Sequence, residues 1–383
     1  MKMINLNHIS RVVVLLCVIF SVSCLKDDDQ TIKLPQVLTY AGIPDDSMAD
    51  PNPTVYNANT TIPNINYTVE NEDGYNVFRI DMPGVQIPGS SDWLTLKGTG
   101  SGQNVWVEVD DTPKGIVVYN TIDDYEYVYV AYDFVFLVDN SGSMSQEADA
   151  IARDIIDWAQ KLNKTLDVKF GVVGYDGTIT GAINMTTYNE VSAFLNNGTG
   201  TSRTMGFAGK NATYLSQITV PYNLSTQAEC GMAALHYAND NFDFRVGANR
   251  IYVNFTDEPN QPQGYSAFSV DYLKSQYNWN TSLGTIHTVF SDEDTYITEG
   301  YNSEKPWRMS EYTGGTILYA DSNFSGVTLD LLPVTSAMQN SYIIKFANAD
   351  DLLDGRQHRI EVVIKTDDGK VRAAKTFYVT YNR

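Results

Sequence analysis

An almost unbroken apolar run, residues 132–138, ends abruptly in the polar segment Asp139-Asn140-Ser141-Gly142-Ser143. A run that is apolar at nearly every position is typical of a strand buried on both faces of a parallel sheet. After the polar segment, apolar residues recur at the spacing of one helix face: Ala148, Ile151, Ile155, Trp158 and Leu162. The pattern predicts a strand, an oxygen-rich loop and a helix.

The alternation of strands and helices continues to about residue 340. Further apolar strands are predicted at residues 168–175, 251–255 and 284–290, with helices between them. Such alternation predicts an α/β fold with a doubly wound, mainly parallel sheet and right-handed crossovers. Residues 196–225 are polar and rich in Gly, Thr and Asn, so the pattern predicts a long loop there.

Short strands of period two flank this region on both sides, which indicates a β-sandwich. The C-terminal strands span only about 40 residues, too few for an independent core, so we expect them to complete the N-terminal sandwich. The predicted organisation is a signal peptide (1–23), a lipidated cysteine with its tether (24–64), an N-terminal sandwich part (65–127), an α/β domain (128–340) and the closing strands (341–383).

The N-terminus has the pattern of an export signal. Lys2 and Arg11 precede an apolar stretch too short to span a bilayer. The segment Ser21-Val22-Ser23-Cys24 resembles the lipobox of bacterial lipoproteins, which implies cleavage before Cys24 and lipidation of that cysteine. Residues 25–29 are similar to the signal that sends lipoproteins of the Bacteroidetes to the cell surface. The resemblance implies a lipid-anchored protein of the outer membrane that faces the exterior; an ordinary cleaved secretory signal is the alternative.

Composition narrows the classes of partner. A hydrophobic content of 43% indicates a globular protein, and a net charge of −20 leaves no basic surface to replace phosphate counterions, which argues against nucleic acid. Cys17 lies in the signal and Cys24 would carry lipid, so Cys230 alone remains and no intramolecular disulfide is expected.

Polar residues at three places in the chain carry the candidate chemistry. Asp139, Ser141 and Ser143 offer hard oxygen donors, which suit Mg²⁺ best, with Mn²⁺ and Ca²⁺ as alternatives. A helix N-cap would also favour Asp and Ser here. Asp257 ends a later strand and Glu229 begins a helix. Because the carboxyl ends of adjacent parallel strands lie at one edge of a sheet, these residues are predicted to share a cation.

Residues 128–339 resemble the von Willebrand factor A family. The resemblance rests on Asp139-x-Ser141-x-Ser143, on Thr256-Asp257 and on residues 313–315 (Thr-Gly-Gly). It implies a metal-ion-dependent adhesion site with Asp139, Ser141, Ser143 and Asp257 as ligands.

The second loop of that site departs from the common family pattern. Ala228 stands where most members have threonine, and residues 228–231 (Ala-Glu-Cys-Gly) are instead similar to the Pro-Glu-Gly-Gly of integrin β inserted domains. That similarity implies Glu229 as a ligand. The alternatives are Thr226 or Ser225 as ligand, and Glu229 as an acid that merely favours the helix dipole.

Three functions are compatible with these features. The first is a surface protein that captures a protein or glycan ligand through the cation, with a carboxylate of the ligand as a candidate contact. The second is a structural subunit of a surface complex whose fold the ion stabilises. The third, a metal-assisted hydrolase, is disfavoured because no nucleophile elbow (Gly-x-Ser-x-Gly) is present. The sequence therefore favours a binding protein over an enzyme.

Overall fold

The computed structural model describes residues 42–63, 65–72, 74–120, 130–224, 228–280, 282–291, 303–321, 323–324 and 328–381, with residue 339 described by its backbone only. The predicted signal peptide, Cys24 and the first part of the tether lie outside these residues. So do Ser225 and Thr226, the predicted alternatives to Glu229.

The described residues form fifteen strands and seven α-helices. The strands are β1 (Asn66–Glu72), β2 (Tyr75–Met82), β3 (Val105–Val109), β4 (Thr112–Pro113), β5 (Ile116–Asn120), β6 (Ala131–Asp139), β7 (Asp167–Tyr175), β8 (Ile179–Thr186), β9 (Gly206–Ala208), β10 (Asn249–Thr256), β11 (Thr285–Ser291), β12 (Ile317–Ala320), β13 (Tyr342–Phe346), β14 (Gln357–Lys365) and β15 (Arg372–Thr380). The helices are α1 (Ala148–Leu162), α2 (Tyr188–Leu195), α3 (Ala212–Gln217), α4 (Gly231–Asn241), α5 (Val270–Ser275), α6 (Arg308–Thr313) and α7 (Pro333–Gln339).

A seven-stranded sheet in the order β12-β11-β10-β6-β7-β8-β9 forms the middle of the protein. Its central strand β6 is buried on both faces. Phe134 and Phe136 pack on one face with Trp158 of α1. Val135 and Leu137 pack on the other face with Leu235 of α4. The apolar run at residues 132–138 is explained by these two cores.

The predicted fold class, a doubly wound and mainly parallel sheet of the von Willebrand factor A type, is wrong for this chain. The structure is a mixed α/β fold in which two of the three sheets are wholly antiparallel. Within the seven-stranded sheet, β8 is antiparallel to β7. The reason is the connection between them, residues 176–178, which is too short for the crossover that parallel strands require.

The two four-stranded sheets have the orders β1-β2-β13-β5 and β15-β14-β3-β4, so each combines strands that precede and follow the seven-stranded sheet in the chain. Their inner faces share one apolar core, to which Phe78 and Phe346 contribute from one sheet and Val107 and Ile360 from the other. These side chains therefore pack the strands from the N-terminal and C-terminal parts of the described region into a single unit.

The prediction of a long loop over residues 196–225 is wrong for the described residues of this range. It contains a 3-10 helix (Gly200–Thr204), the edge strand β9, the helix α3 and a second 3-10 helix (Val220–Tyr222). Strand β9 extends the seven-stranded sheet by pairing in parallel with β8. Each element is six residues or shorter, so no hydrophobic period could reveal it.

Among the described residues, no helix combines the length and the apolar character that crossing a bilayer requires.

Candidate functional site

The end of β6 turns sharply into an oxygen-rich loop. Asp139 is the last residue of the strand and is completely buried. Its Oδ1 accepts a hydrogen bond of 2.8 Å from the backbone N–H of Ser141, which turns the chain. Ser141 is buried, whereas Ser143 is exposed at the start of a 3-10 turn (Ser143–Ser145). The loop therefore connects a buried carboxylate to a hydroxyl at the surface.

The neighbouring strand β10 supplies the other side of the site. Thr256, its last residue, donates from Oγ1 to Oδ2 of Asp139 at 2.8 Å. The next residue, Asp257, accepts from Oγ of Ser143 through Oδ1 at 3.2 Å. Ser141 and Ser143 lie within hydrogen-bond distance, with their Oγ atoms 2.9 Å apart. The four residues predicted on the first and third loops are thus connected by a continuous set of contacts.

Glu229 lies close enough to Asp139 and Asp257 for their charges to act on its carboxyl. It is half-buried just before α4, and its carbonyl accepts from the N–H of Gln261 at 2.7 Å. Burial raises the pKa of its carboxyl to about 8, helped by the carboxylates of Asp139, Glu258, Asp257 and Asp176. Every one of these charged neighbours is acidic, so without a cation the carboxyl of Glu229 is mainly protonated near pH 7, and a cation at this edge would favour its ionised form.

Burial also raises the pKa of Asp139 to about 7. Hydrogen bonds from the N–H of Ser141 and the hydroxyl of Thr256 stabilise the ionised form and partly offset this rise in pKa. The negative charge of Asp257 raises the pKa further. A buried carboxylate surrounded by other acids is electrostatically unfavourable, and a cation would compensate it.

The loop is supported from the other side by residues that the sequence did not single out. Nδ2 of Asn140 donates to Oγ1 of Thr180 at 2.6 Å, and its Oδ1 accepts from Thr204. A Cβ on Gly174 would lie 2.2 Å from the carbonyl oxygen of Thr204 and 2.5 Å from Nδ2 of Asn140. Only glycine allows this close approach, which fixes the position of Asn140 directly after Asp139.

The donor set fits a hard divalent cation. Within the described residues, no group of three or more His, Cys, Asp or Glu side chains is arranged to hold a metal ion by itself. An ion at this edge would therefore depend on the hydroxyls of Ser141 and Ser143 in addition to the carboxylates. Such an oxygen-only set suits Mg²⁺, Mn²⁺ or Ca²⁺ and excludes metals that prefer sulfur or imidazole.

No family model and no curated protein matches the sequence. Solved structures show a distant similarity. The human COPII-coat protein Sec24c is 7% identical, with a TM-score of 0.31, and the match covers 71% of this chain and 47% of Sec24c. Proximal thread matrix protein 1 from the mussel byssus is 12% identical, with a TM-score of 0.33, over 61% of this chain and 49% of that protein.

A third similar structure is the PilB minor pilin from Streptococcus sanguinis. It is 10% identical with a TM-score of 0.28, and the match covers 75% of this chain and 77% of the pilin. The chain spans about half the length of Sec24c and of the byssus protein. TM-scores this low give no support to a shared fold or function.

Proposed function

We propose that the protein binds a divalent cation, Mg²⁺ best, at the edge formed by Asp139, Ser141, Ser143 and Asp257. The single observation that carries the proposal is the set of contacts that joins Ser141 to Ser143 and Ser143 to Asp257, beside a buried Asp139 that forms no ion pair with a basic group of the described residues. Mn²⁺ and Ca²⁺ are chemically acceptable at the same donors.

The role of each residue follows from its environment. Asp139 is oriented by Thr256 and by the N–H of Ser141, so its carboxylate supplies negative charge in a fixed position on the buried side of the site. The exposed Ser143 and the half-buried Asp257 lie toward solvent. Glu229 would act as a ligand or, since Mg²⁺ readily retains water, through a water molecule.

The proposed function is capture of a protein or glycan ligand at the cell surface. Neutral hydroxyls leave much of the charge of a divalent ion uncompensated, so the ion can attract a carboxylate of the partner. The exposed side of the site and the predicted export and lipidation at Cys24 support this assignment. We infer a binding protein rather than an enzyme, anchored by lipid to the outer membrane with its site toward the exterior.

Binding to arrays of host proteins and glycans tests this function. The purified protein should retain ligands in the presence of Mg²⁺, and EDTA or Asp139→Ala should abolish retention, because both remove the charge that attracts the partner. Asp92→Ala is the matched control, since Asp92 is an exposed carboxylate in the connection between β2 and β3, outside the seven-stranded sheet.

Ligand binding that persists in EDTA and in Asp139→Ala would contradict the proposal. If the cation raises the unfolding temperature but no ligand is retained, the ion stabilises the fold of a structural subunit instead. Substrate turnover that Asp139→Ala abolishes would identify a hydrolase.

A further inference from the structure

A cavity of about 550 Å³ lies at the opposite end of the seven-stranded sheet from Asp139. Its walls include residues at the starts of two central strands, Tyr132 of β6 and Asn249 of β10, and residues of the four-stranded sheets and their connections, among them Trp93 and Lys375. Tyr132 and Asp139 are seven residues apart on one strand, about 23 Å at 3.3 Å per residue. The cavity is therefore separate from the proposed cation site.

His287 lines this cavity, and its imidazole accepts a backbone hydrogen bond through one of its two ring nitrogens. Its Nδ1 accepts a hydrogen bond of 2.9 Å from the N–H of Thr316. Burial lowers the pKa of His287 to about 4, so the ring is neutral near pH 7. Since Nδ1 is the acceptor, the proton must be on Nε2. Within the described residues, that buried Nε2 has no hydrogen-bond partner.

Asn249 provides a second buried donor in the same walls. It is 8% exposed, and its Nδ2 also lacks a hydrogen-bond partner among the described residues. Buried donors without acceptors are uncommon because desolvation is then uncompensated. Both unsatisfied groups are donors, so the missing partner is an acceptor.

Lys375 adds positive charge to these donors. Its Nζ donates to the carbonyl oxygen of Pro63 at 2.9 Å, and burial lowers the pKa of the amine to about 8, which leaves it mainly charged at pH 7. The other basic residue of the walls, Arg250, stacks its guanidinium on Phe244 at 4.1 Å. The acidic residue of the described walls is Glu311, and it is exposed.

The rest of the walls is suited to an apolar body. Trp93, Val85, Ile251 and Val334 contribute apolar side chains. A volume of about 550 Å³ lies within the range of about 300–1,000 Å³ that is usual for small-molecule sites. Apolar walls combined with a few convergent polar groups are the usual composition of such sites.

We propose that this cavity binds a small organic acid, with its carboxylate toward Lys375, Asn249 and His287 and its apolar body against Trp93 and Val334. The carboxylate is the acceptor that both unsatisfied donors lack, and the ammonium group of Lys375 in the same walls favours an anion over a neutral ligand. The site is independent of the cation and of ligand capture at the other end of the sheet.

Benzoate and benzyl alcohol are suitable probes because they share a ring and differ in charge. In titrations followed by saturation-transfer NMR, benzoate should bind at least about tenfold more tightly than benzyl alcohol. Lys375→Met should remove this preference. Lys370→Met is the matched control, since Lys370 is an exposed lysine in the turn between β14 and β15, and it should preserve the preference.

A measurement on the unaltered protein covers the case in which Lys375→Met does not fold. Benzoate should shift the Nε2 resonance of His287, one of four histidines in the chain, in a long-range ¹H–¹⁵N spectrum, and benzyl alcohol should not. Equal affinity for both probes, a benzoate affinity unchanged by Lys375→Met, or an unmoved His287 resonance would overturn the proposal and indicate a water-filled cavity.

Discussion

A buried carboxylate can serve a site only if its orientation is maintained, and Asp139 shows how this is done. One oxygen accepts from the N–H of Ser141 and the other from the hydroxyl of Thr256. Both bonds stabilise the ionised form, yet burial still raises the pKa of Asp139 to about 7. The two hydrogen bonds thus orient the carboxylate of Asp139 for a cation, and its negative charge is not compensated by them.

The spacing of Asp139, Ser141 and Ser143 was readable from the sequence because local spacing along one loop determines which donors lie together. The role of Thr256 was not readable, because it depends on a side-chain hydrogen bond between two strands 117 residues apart in the chain. The closeness of Asp257 to Ser143 follows the rule that adjacent parallel strands end at one edge.

A different residue, His358 on β14, should make stability depend on pH. Its Nδ1 lies 2.7 Å from Oδ2 of Asp110, and its Nε2 lies 3.0 Å from Oδ1 of Asp354. Burial lowers the pKa of His358, but these two hydrogen bonds outweigh burial and raise it above 6.5. The stabilisation is therefore fully present below pH 6.5 and is lost as pH rises through the folded-state pKa.

We expect His358→Gln to reduce the free energy of unfolding more at pH 5.5 than at pH 8.5, as measured by urea denaturation at both values. Asp354→Asn should also weaken the pH dependence, because it removes one of the two partners. A loss of stability in His358→Gln that is equal at both pH values would show that the imidazolium is not the stabilising form.

Strands β7 and β8 position the loop after Asp139 through a close backbone approach. The N–H of Asn140 donates to the carbonyl of Tyr175 at 2.6 Å, and the segment around Thr204 packs against Gly174. The segment around Thr204 lies in residues 196–225, where the sequence predicted a loop, so its contribution to the site could not have been anticipated from periodicity.

Gly174→Ala should destabilise the protein by about 1–3 kcal/mol, the usual cost of overpacking. The new methyl group would meet backbone and the Asn140 side chain, which cannot easily move. Gly142→Ala is the control, because no atom lies within 4 Å of its Cβ position and its φ of −64° is ordinary. Thermal unfolding of both variants checks the prediction; equal stability of Gly174→Ala and the unaltered protein would contradict it.

The elements with strong periodicity were predictable and the short ones were not. The strands β6, β7 and β10 and the helix α1 follow from long buried runs or a clear apolar face. Elements such as β9 and α3, of three and six residues, are too short to show any period. They form because tertiary contacts select them.

The arrangement of the whole chain depends on long-range pairing that no local pattern encodes. Among the described residues, seven of the twelve strand pairings are antiparallel and five are parallel. Strand β13, near the C-terminus, pairs between β2 and β5. Apolar patterns identified strands such as β6, β7 and β10, but the directions of the strands depend on partners far away in the chain, which is why the predicted fold class was wrong.

The architecture separates two chemically different places on one molecule. The acidic edge at Asp139 lies at the carboxyl end of β6, and the cavity near Tyr132 lies at its other end. The net charge of −20 favours the attraction of cations to the acidic edge. The positive charge of Lys375 in the cavity contrasts with this overall negative charge.

Direct titration with Mg²⁺ and Mn²⁺ by isothermal calorimetry measures whether a divalent cation binds at the edge formed by Asp139, Ser143 and Asp257. Ser143→Ala should weaken the affinity by at least about tenfold, the lower end of the loss usual when a group around a metal is altered. Ser145→Ala is the matched control, because Ser145 is an exposed serine of the same 3-10 turn. We expect one saturable site that Ser143→Ala weakens and Ser145→Ala preserves; no saturable binding to the unaltered protein, or equal affinities in both variants, would show that no cation site exists at this edge.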